Sequence, residues 1–121
     1  MTIGDAIARA DAVKPNGVPE AEKIRWLTGL EGIIKNEIVD THSGWEEEPA
    51  AALPSALGDA LFAPPPFDET YVMWLLARID FINGEYDAYA NSSAVFNSAF
   101  SAFADHVNRT KTPRSAALRY E

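Results

Sequence analysis

Between the triplet Pro64-Pro65-Pro66 and the pair Asn83-Gly84 runs a segment that is apolar nearly all round. It constrains the fold more than any other feature of the chain. Tyr71, Val72, Trp74, Leu75, Leu76, Ile79 and Ile82 leave no broad polar face, so a helix over this stretch is expected at the centre of the structure. The prolines keep it from starting before Phe67-Asp68-Glu69, with Asp68 as the expected cap, and Asn83-Gly84 ends it. A chain of 121 residues suits one domain with a modest core.

The helices that surround it follow from periodicity and punctuation. Thr2 lies three residues before Asp5 and starts a short first helix through Ile3, Ile7 and Ala10, which Pro15-Asn16-Gly17 stops near Lys14. Pro19, with Glu20 and Glu22, opens a second helix that runs to about Asp40. Its apolar stripe of Ile24, Leu27, Ile34 and Ile38 is widened by Trp26, Leu30 and Ile33, which predicts contacts on two sides. Gly29 and Gly32 each cost about 1 kcal/mol in a helix interior, and a tight helix crossing is the expected reason for them. A fourth helix covers about 85–109, with a bend expected near Asn91-Ser92-Ser93 and a stripe of Phe96, Phe100, Phe103 and Val107. The fold class is therefore all-α: a small bundle of about four helices with a long Pro-rich loop (41–66) and a C-terminal arm. Within that loop, Ala56-Leu57 and Leu61-Phe62 are candidates for a short turn or strand. In domain terms, 1–109 is the helical body and 110–121 the basic arm.

Charge divides the chain in the same place. The net charge is −8, yet residues 109–121 carry Arg109, Lys111, Arg114 and Arg119 against Glu121 alone. Residues 1–108 hold the other 6 basic and 17 acidic side chains, a body that repels a phosphate backbone. A short basic arm can touch nucleic acid or dock on an acidic surface of a neighbouring copy or a partner; protein docking is the favoured reading, with Arg109, Lys111, Arg114, Arg119 and Tyr120 as interaction residues. Trp45, in an acidic loop beside Glu46-Glu47-Glu48, is a further candidate contact anchor, because tryptophan dominates interface energies.

Chemistry finds little purchase. Absence of cysteine removes disulfides, thiolate metal sites and cysteine nucleophiles. His42 and His106 are the only histidines, are not spaced as a zinc pair, and are read as caps near helix C-termini. Gly-x-Ser-x-Gly and the phosphate-cradling glycine loops are missing. Paired acids one helical turn apart on two helices, as magnesium-dependent helical pyrophosphatases require, are missing too. The expectation is a non-enzyme with no catalytic residue, no cofactor and no metal. No apolar run of about 18 residues exists, and the N-terminus does not read as a signal peptide, so no membrane association is expected.

Longer stretches carry a resemblance. Ile7-Ala8-Arg9-Ala10-Asp11-Ala12-Val13-Lys14-Pro15-Asn16, followed by Glu22-Lys23-Ile24-Arg25-Trp26-Leu27 and Asp40-Thr41-His42, resembles the first half of small neck proteins encoded in phage and prophage genomes. Leu61-Phe62-Ala63-Pro64-Pro65-Pro66-Phe67-Asp68-Glu69-Thr70-Tyr71 is similar to their apolar-Pro-Tyr-Asp-x-x-Tyr passage, with Phe67 where tyrosine is usual. Ile79-Asp80-Phe81-Ile82-Asn83-Gly84-Glu85-Tyr86-Asp87-Ala88-Tyr89 resembles the helix break. Asn91-Ser92, Phe96-Asn97-Ser98-Ala99-Phe100 and Asn108-Arg109 with Pro113 resemble the last helix and its exit. The likeness to this head–tail connector (neck adaptor) family spans nearly the whole chain. It implies a structural subunit of the virion neck, made in the bacterial cytoplasm and assembled as a homo-oligomeric ring around the DNA channel. Its partners would be the portal protein and the tail-side neck proteins, and it would bind no nucleic acid sequence-specifically.

Two other classes compete with this reading. A small acidic phage-encoded protein can mimic DNA and inhibit a basic host protein, which needs acids arrayed along one surface. A metal-dependent helical enzyme needs carboxylates gathered from separate helices.

Overall fold

A computed structural model describes residues 1–45 and 52–114. Among them are four α-helices, so the protein is mostly helical: α1 (Ile3–Val13), α2 (Glu20–Ile34), α3 (Glu69–Ile82) and α4 (Tyr86–Thr110). A π-helical stretch, Lys35–Val39, prolongs α2. Two short strands, β1 (His42–Ser43) and β2 (Thr112–Pro113), pair antiparallel, His42 opposite Pro113 and Ser43 opposite Thr112.

The N-terminus of α1 shows why the chain starts there. The Thr2 side chain accepts the Asp5 N–H and the Asp5 carboxylate accepts the Thr2 N–H, both at 3.1 Å. Two more unpaired amides of the first turn are taken by the segment 52–63: Ile3 donates to the Asp59 carbonyl (3.1 Å) and Gly4 to the Leu57 carbonyl (2.9 Å). Leu61 donates to the Met1 carbonyl, and Thr2 and Ala60 form a β-bridge. Residues 52–63 are thus an N-terminal lid on α1, and they drop Leu61 and Ala63 into the core. The Asp59 carboxylate, which accepts the Ser55 and Ala56 amides, shapes the turn that presents these carbonyls.

Helix α3 is central, as its apolar circumference requires. It packs against α1, α2 and, most extensively, α4. Tyr71, Val72, Leu75, Leu76 and Ile79 are buried among Ile3, Ile7, Leu27, Leu30, Ile34, Phe103 and Val107. Asp68 occupies the cap position, but its side chain makes no capping bond; the helix is entered through a tight turn in which Thr70 donates to Phe67 and Tyr71 to Asp68. Helix α4 is continuous through Asn91-Ser92-Ser93, where a bend was expected. Ser92 instead turns inward and donates to Asp80 (2.6 Å), so its polar side chain is satisfied without interrupting the helix.

The glycines of α2 do not mark a helix crossing. Gly29 faces open space, and a side chain at Gly32 would meet only the Leu53 methyl at 3.5 Å. The wide apolar face of α2 divides instead between core (Leu27, Leu30, Ile34), a half-buried flank (Ile24, Trp26) and the exposed Ile33.

Candidate interaction surfaces

The two ends of α4 carry exposed side chains of different chemistry; Val95 at mid-helix and Ile33 on α2 are exposed as well. The helix has 25 residues and spans about 37 Å, which separates its termini by most of the molecule.

At its N-terminal end, Asn83 and Gly84 (φ +75°) turn the chain from α3 into α4. Only glycine enters that left-handed conformation without a steric cost. Phe81 and Ile82, the last apolar residues of α3, reach past the neighbouring helices and are 54% and 60% exposed. Tyr86 and Tyr89 stand beside them on the first turn of α4. The Phe81 ring lies edge-on to both, with centroids 5.8 Å and 5.3 Å away. Val13, at the end of α1, is exposed nearby, since the adjoining Lys14 reaches the same turn. Exposed aromatics concentrated in one place are more informative than scattered ones.

The tip is fixed from below. Asp80 is fully buried; its Oδ1 lies 2.5 Å from Lys14 Nζ and its Oδ2 accepts the Ser92 hydroxyl. Lys14 also reaches Glu85 at 3.5 Å, and Glu85 N–H donates to the Asp80 carbonyl. The hydrogen bond to Asp80 holds the Lys14 ammonium above its ordinary value. One cation therefore joins α1, α3 and α4 directly under the aromatic cluster. Alongside, Val18, Pro19, Trp26 and Ile82 line an open cleft. Arg78 lies over the Trp74 and Trp26 rings, 4.5 Å and 5.9 Å from their centroids.

The C-terminal end of α4 gathers most of the residues singled out from the sequence. Arg109 is exposed on the last turn. Lys111 donates to the Gly44 carbonyl (3.2 Å) and sits 5.2 Å from the Trp45 ring centroid. The Arg114 side chain is exposed, while its backbone N–H donates to the Thr41 carbonyl (2.7 Å). Residues 110–114, the start of the arm expected from charge, are thus tied to the body through the β1–β2 pair. Arg119 and Tyr120 lie outside the described residues, as do Glu46-Glu47-Glu48. Trp45 is half-buried: its Nε1 donates to the Val39 and His42 carbonyls, and its ring meets Phe62 edge-on at 5.0 Å. It braces the chain internally while presenting one face to Lys111.

Both histidines are structural. His42 is buried, with Nδ1 2.8 Å from the Ile38 carbonyl and Nε2 2.8 Å from the Asn108 side-chain amide, so it caps the end of the second helix and ties it to α4. His106 does not cap; its ring stacks on Phe67 at 4.8 Å. Among the described residues no three His, Asp or Glu side chains converge to hold a metal ion, and no described helix is long and apolar enough to cross a membrane.

Sequence reasoning placed Ile82 in the core and treated 79–89 only as a helix break, so it missed the aromatic tip. The available signal was Phe81-Ile82 and Tyr86-x-x-Tyr89 on either side of a glycine turn, with no remaining helix to cover them. In comparisons with known proteins, no family model, no curated sequence and no solved structure matches this chain.

Proposed function

We propose that this protein is a structural connector subunit that joins two partners in an assembly. Specifically, it is a head–tail adaptor of a tailed phage or prophage, set between the portal protein and tail-side neck proteins, in a ring around the DNA channel. The observation that carries the reading is the contrast in exposed side chains between the two ends of α4. Phe81, Ile82, Tyr86 and Tyr89 are solvent-accessible at one end, and Arg109 and Arg114 at the other, with a buried core between them. A subunit that bridges two neighbours needs two chemically different contact surfaces on a rigid spacer. The order and spacing of the neck-protein-like passages along the chain supply the particular assembly, and the acidic body suits a channel wall that DNA passes without sticking.

Size exclusion with light scattering tests this, on the chain alone and then mixed with the portal protein encoded beside it. A ring-sized species, or comigration with the portal, is the expected result. A monomer that ignores the portal over a wide concentration range overturns the reading.

A further inference from the structure

We infer that the α3–α4 tip is the docking surface for a segment of a partner protein that is apolar at its centre and basic at its flanks. The inference deepens the connector reading and rests on it for the partner's place in an assembly, but not for the surface itself.

The apolar centre follows from what the tip presents. Phe81, Ile82, Tyr86 and Val13 are each more than half exposed, and Tyr89 more than a third. Tyrosine and phenylalanine give up few rotatable bonds on binding, and here the rings are already packed edge to face. The tip is also preorganised, because Lys14, Asp80 and Ser92 lock the three helices beneath it. Little ordering remains to be done when a partner arrives. The cleft beside Trp26 and Ile82 extends the apolar surface and gives the occupant an elongated rather than a point contact.

The basic flanks follow from charge. The Lys14 ammonium, the cation nearest the turn, is already shared by Asp80 and Glu85. Asp87, exposed between Tyr86 and Tyr89, has no ion pair among the described residues. A second copy approaching through the same tip brings the same acids and is repelled, on a body with 17 acidic and 6 basic side chains in residues 1–108. A second copy approaching through its basic end offers Arg109 and Arg114, but residues 108–114 include no large apolar side chain, so that segment lacks the centre the tip requires.

The test uses the full chain, isotope-labelled, titrated with a synthetic amphipathic peptide that has leucines on one face and lysines at the flanks. A matched peptide carries glutamates in place of the lysines. Amide resonances of 81–89 and of Val13 are expected to shift with the lysine peptide. Its affinity is expected to be at least tenfold above that of the glutamate peptide, with the gap shrinking several-fold between low and high salt. The double substitution Phe81→Ser/Tyr86→Ser should remove the shifts while leaving helicity and thermal midpoint unchanged; Ile82→Ser serves if that variant fails to fold. Equal binding of both peptides, shifts confined to other surfaces, or concentration-dependent shifts at the tip with no peptide present each overturn the inference, the last in favour of a second copy. Lysine-peptide binding that survives unchanged in Phe81→Ser/Tyr86→Ser also overturns it and leaves the connector reading standing. Peptide binding at the tip of a chain that ignores the portal does the reverse.

Discussion

Tyr71 donates its hydroxyl proton to Glu31 at 2.6 Å across 40 residues of sequence, and both side chains are buried. The same hydroxyl accepts the Ala63 N–H (2.9 Å), and the other Glu31 oxygen accepts the Phe62 N–H (2.7 Å). A carboxylate from α2 and a phenol from α3 thus satisfy the backbone of the segment that caps α1. Removing the hydroxyl orphans one buried donor and one acceptor. Tyr71→Phe is expected to lose about 1–3 kcal/mol in urea unfolding. Ala63 and Leu61 amides should then exchange faster than the α3 amides. An unchanged midpoint with unchanged exchange rules out this role.

The same pair gives an unusual pH dependence. Burial pushes the Glu31 carboxyl above the usual glutamate value, more than its hydrogen bonds from Tyr71 and Phe62 pull it down. As pH rises through the window between the unfolded value and the raised folded one, the unfolded chain has released a proton that the folded chain still holds. Glu31 therefore weakens folding as pH rises through that window and favours it as pH falls back. Asp5 and Asp59 act oppositely: backbone N–H donors hold both below the usual aspartate value, so their support is present above it and lost as pH falls further. Wild type measured against Glu31→Gln from pH 7 down to about 4.5 isolates the first effect. The stability difference should move in favour of wild type on acidification, and movement the other way contradicts the assignment.

Lys14 joins three helices through one ammonium, and its loss leaves the buried Asp80 carboxylate with only the Ser92 hydroxyl. Lys14→Met should destabilise the protein more than Arg9→Met, which removes only the exposed pair of Arg9 with Glu69. Adding Asp80→Asn should restore part of the loss, because the uncompensated charge is then gone. Equal midpoints for the two single variants would count against the clamp.

What was legible in the sequence is what local chemistry decides. The Thr2/Asp5 capping box, the breaks at Pro15-Asn16-Gly17 and Asn83-Gly84, and the centrality of α3 follow from short-range pattern, and the structure has them. Long-range pairing was not legible. Nothing in the spacing of His42-Ser43 and Thr112-Pro113 says that these two-residue strands meet, yet they turn part of a supposed free arm into the edge of the body. The lid formed by Leu57 and Asp59 on α1 is invisible for the same reason: backbone carbonyls carry no sequence signature. The tip was misread because an all-round apolar helix implies burial on every side, and that rule fails at a helix end that outreaches its neighbours. Phe81 and Ile82 lie at such an end.

Trp45 separates an internal brace from a free contact anchor. Its indole N–H is already bonded to two carbonyls, and its ring is packed on Phe62 under Lys111. Trp45→Ala should cost about 1–3 kcal/mol, about half the value for a fully buried aromatic, and should loosen the β1–β2 pair in hydrogen exchange. Phe103→Ala, at a fully buried position, should cost about 3–5 kcal/mol on the same scale. A Trp45→Ala variant with wild-type stability would return the residue to the role expected of it from sequence.

Two glycines, both in helices, should respond to alanine in opposite directions. Gly29 lies in α2 with nothing within 4 Å of where a Cβ would stand. Alanine there restricts the unfolded chain and favours the helix, so Gly29→Ala should gain about 0.5–1 kcal/mol. Gly4 lies in the first turn of α1, where a Cβ would stand 3.1 Å from the Leu57 carbonyl oxygen. That oxygen also accepts the Gly4 N–H, so it cannot retreat without stretching the bond that holds the lid. The helical gain at Gly4 is opposed by this displacement, and Gly4→Ala should lose about 1 kcal/mol net. Chemical denaturation of the two variants side by side checks both signs. A stabilising Gly4→Ala would mean that the 52–63 segment yields freely and that the lid contributes little to holding α1.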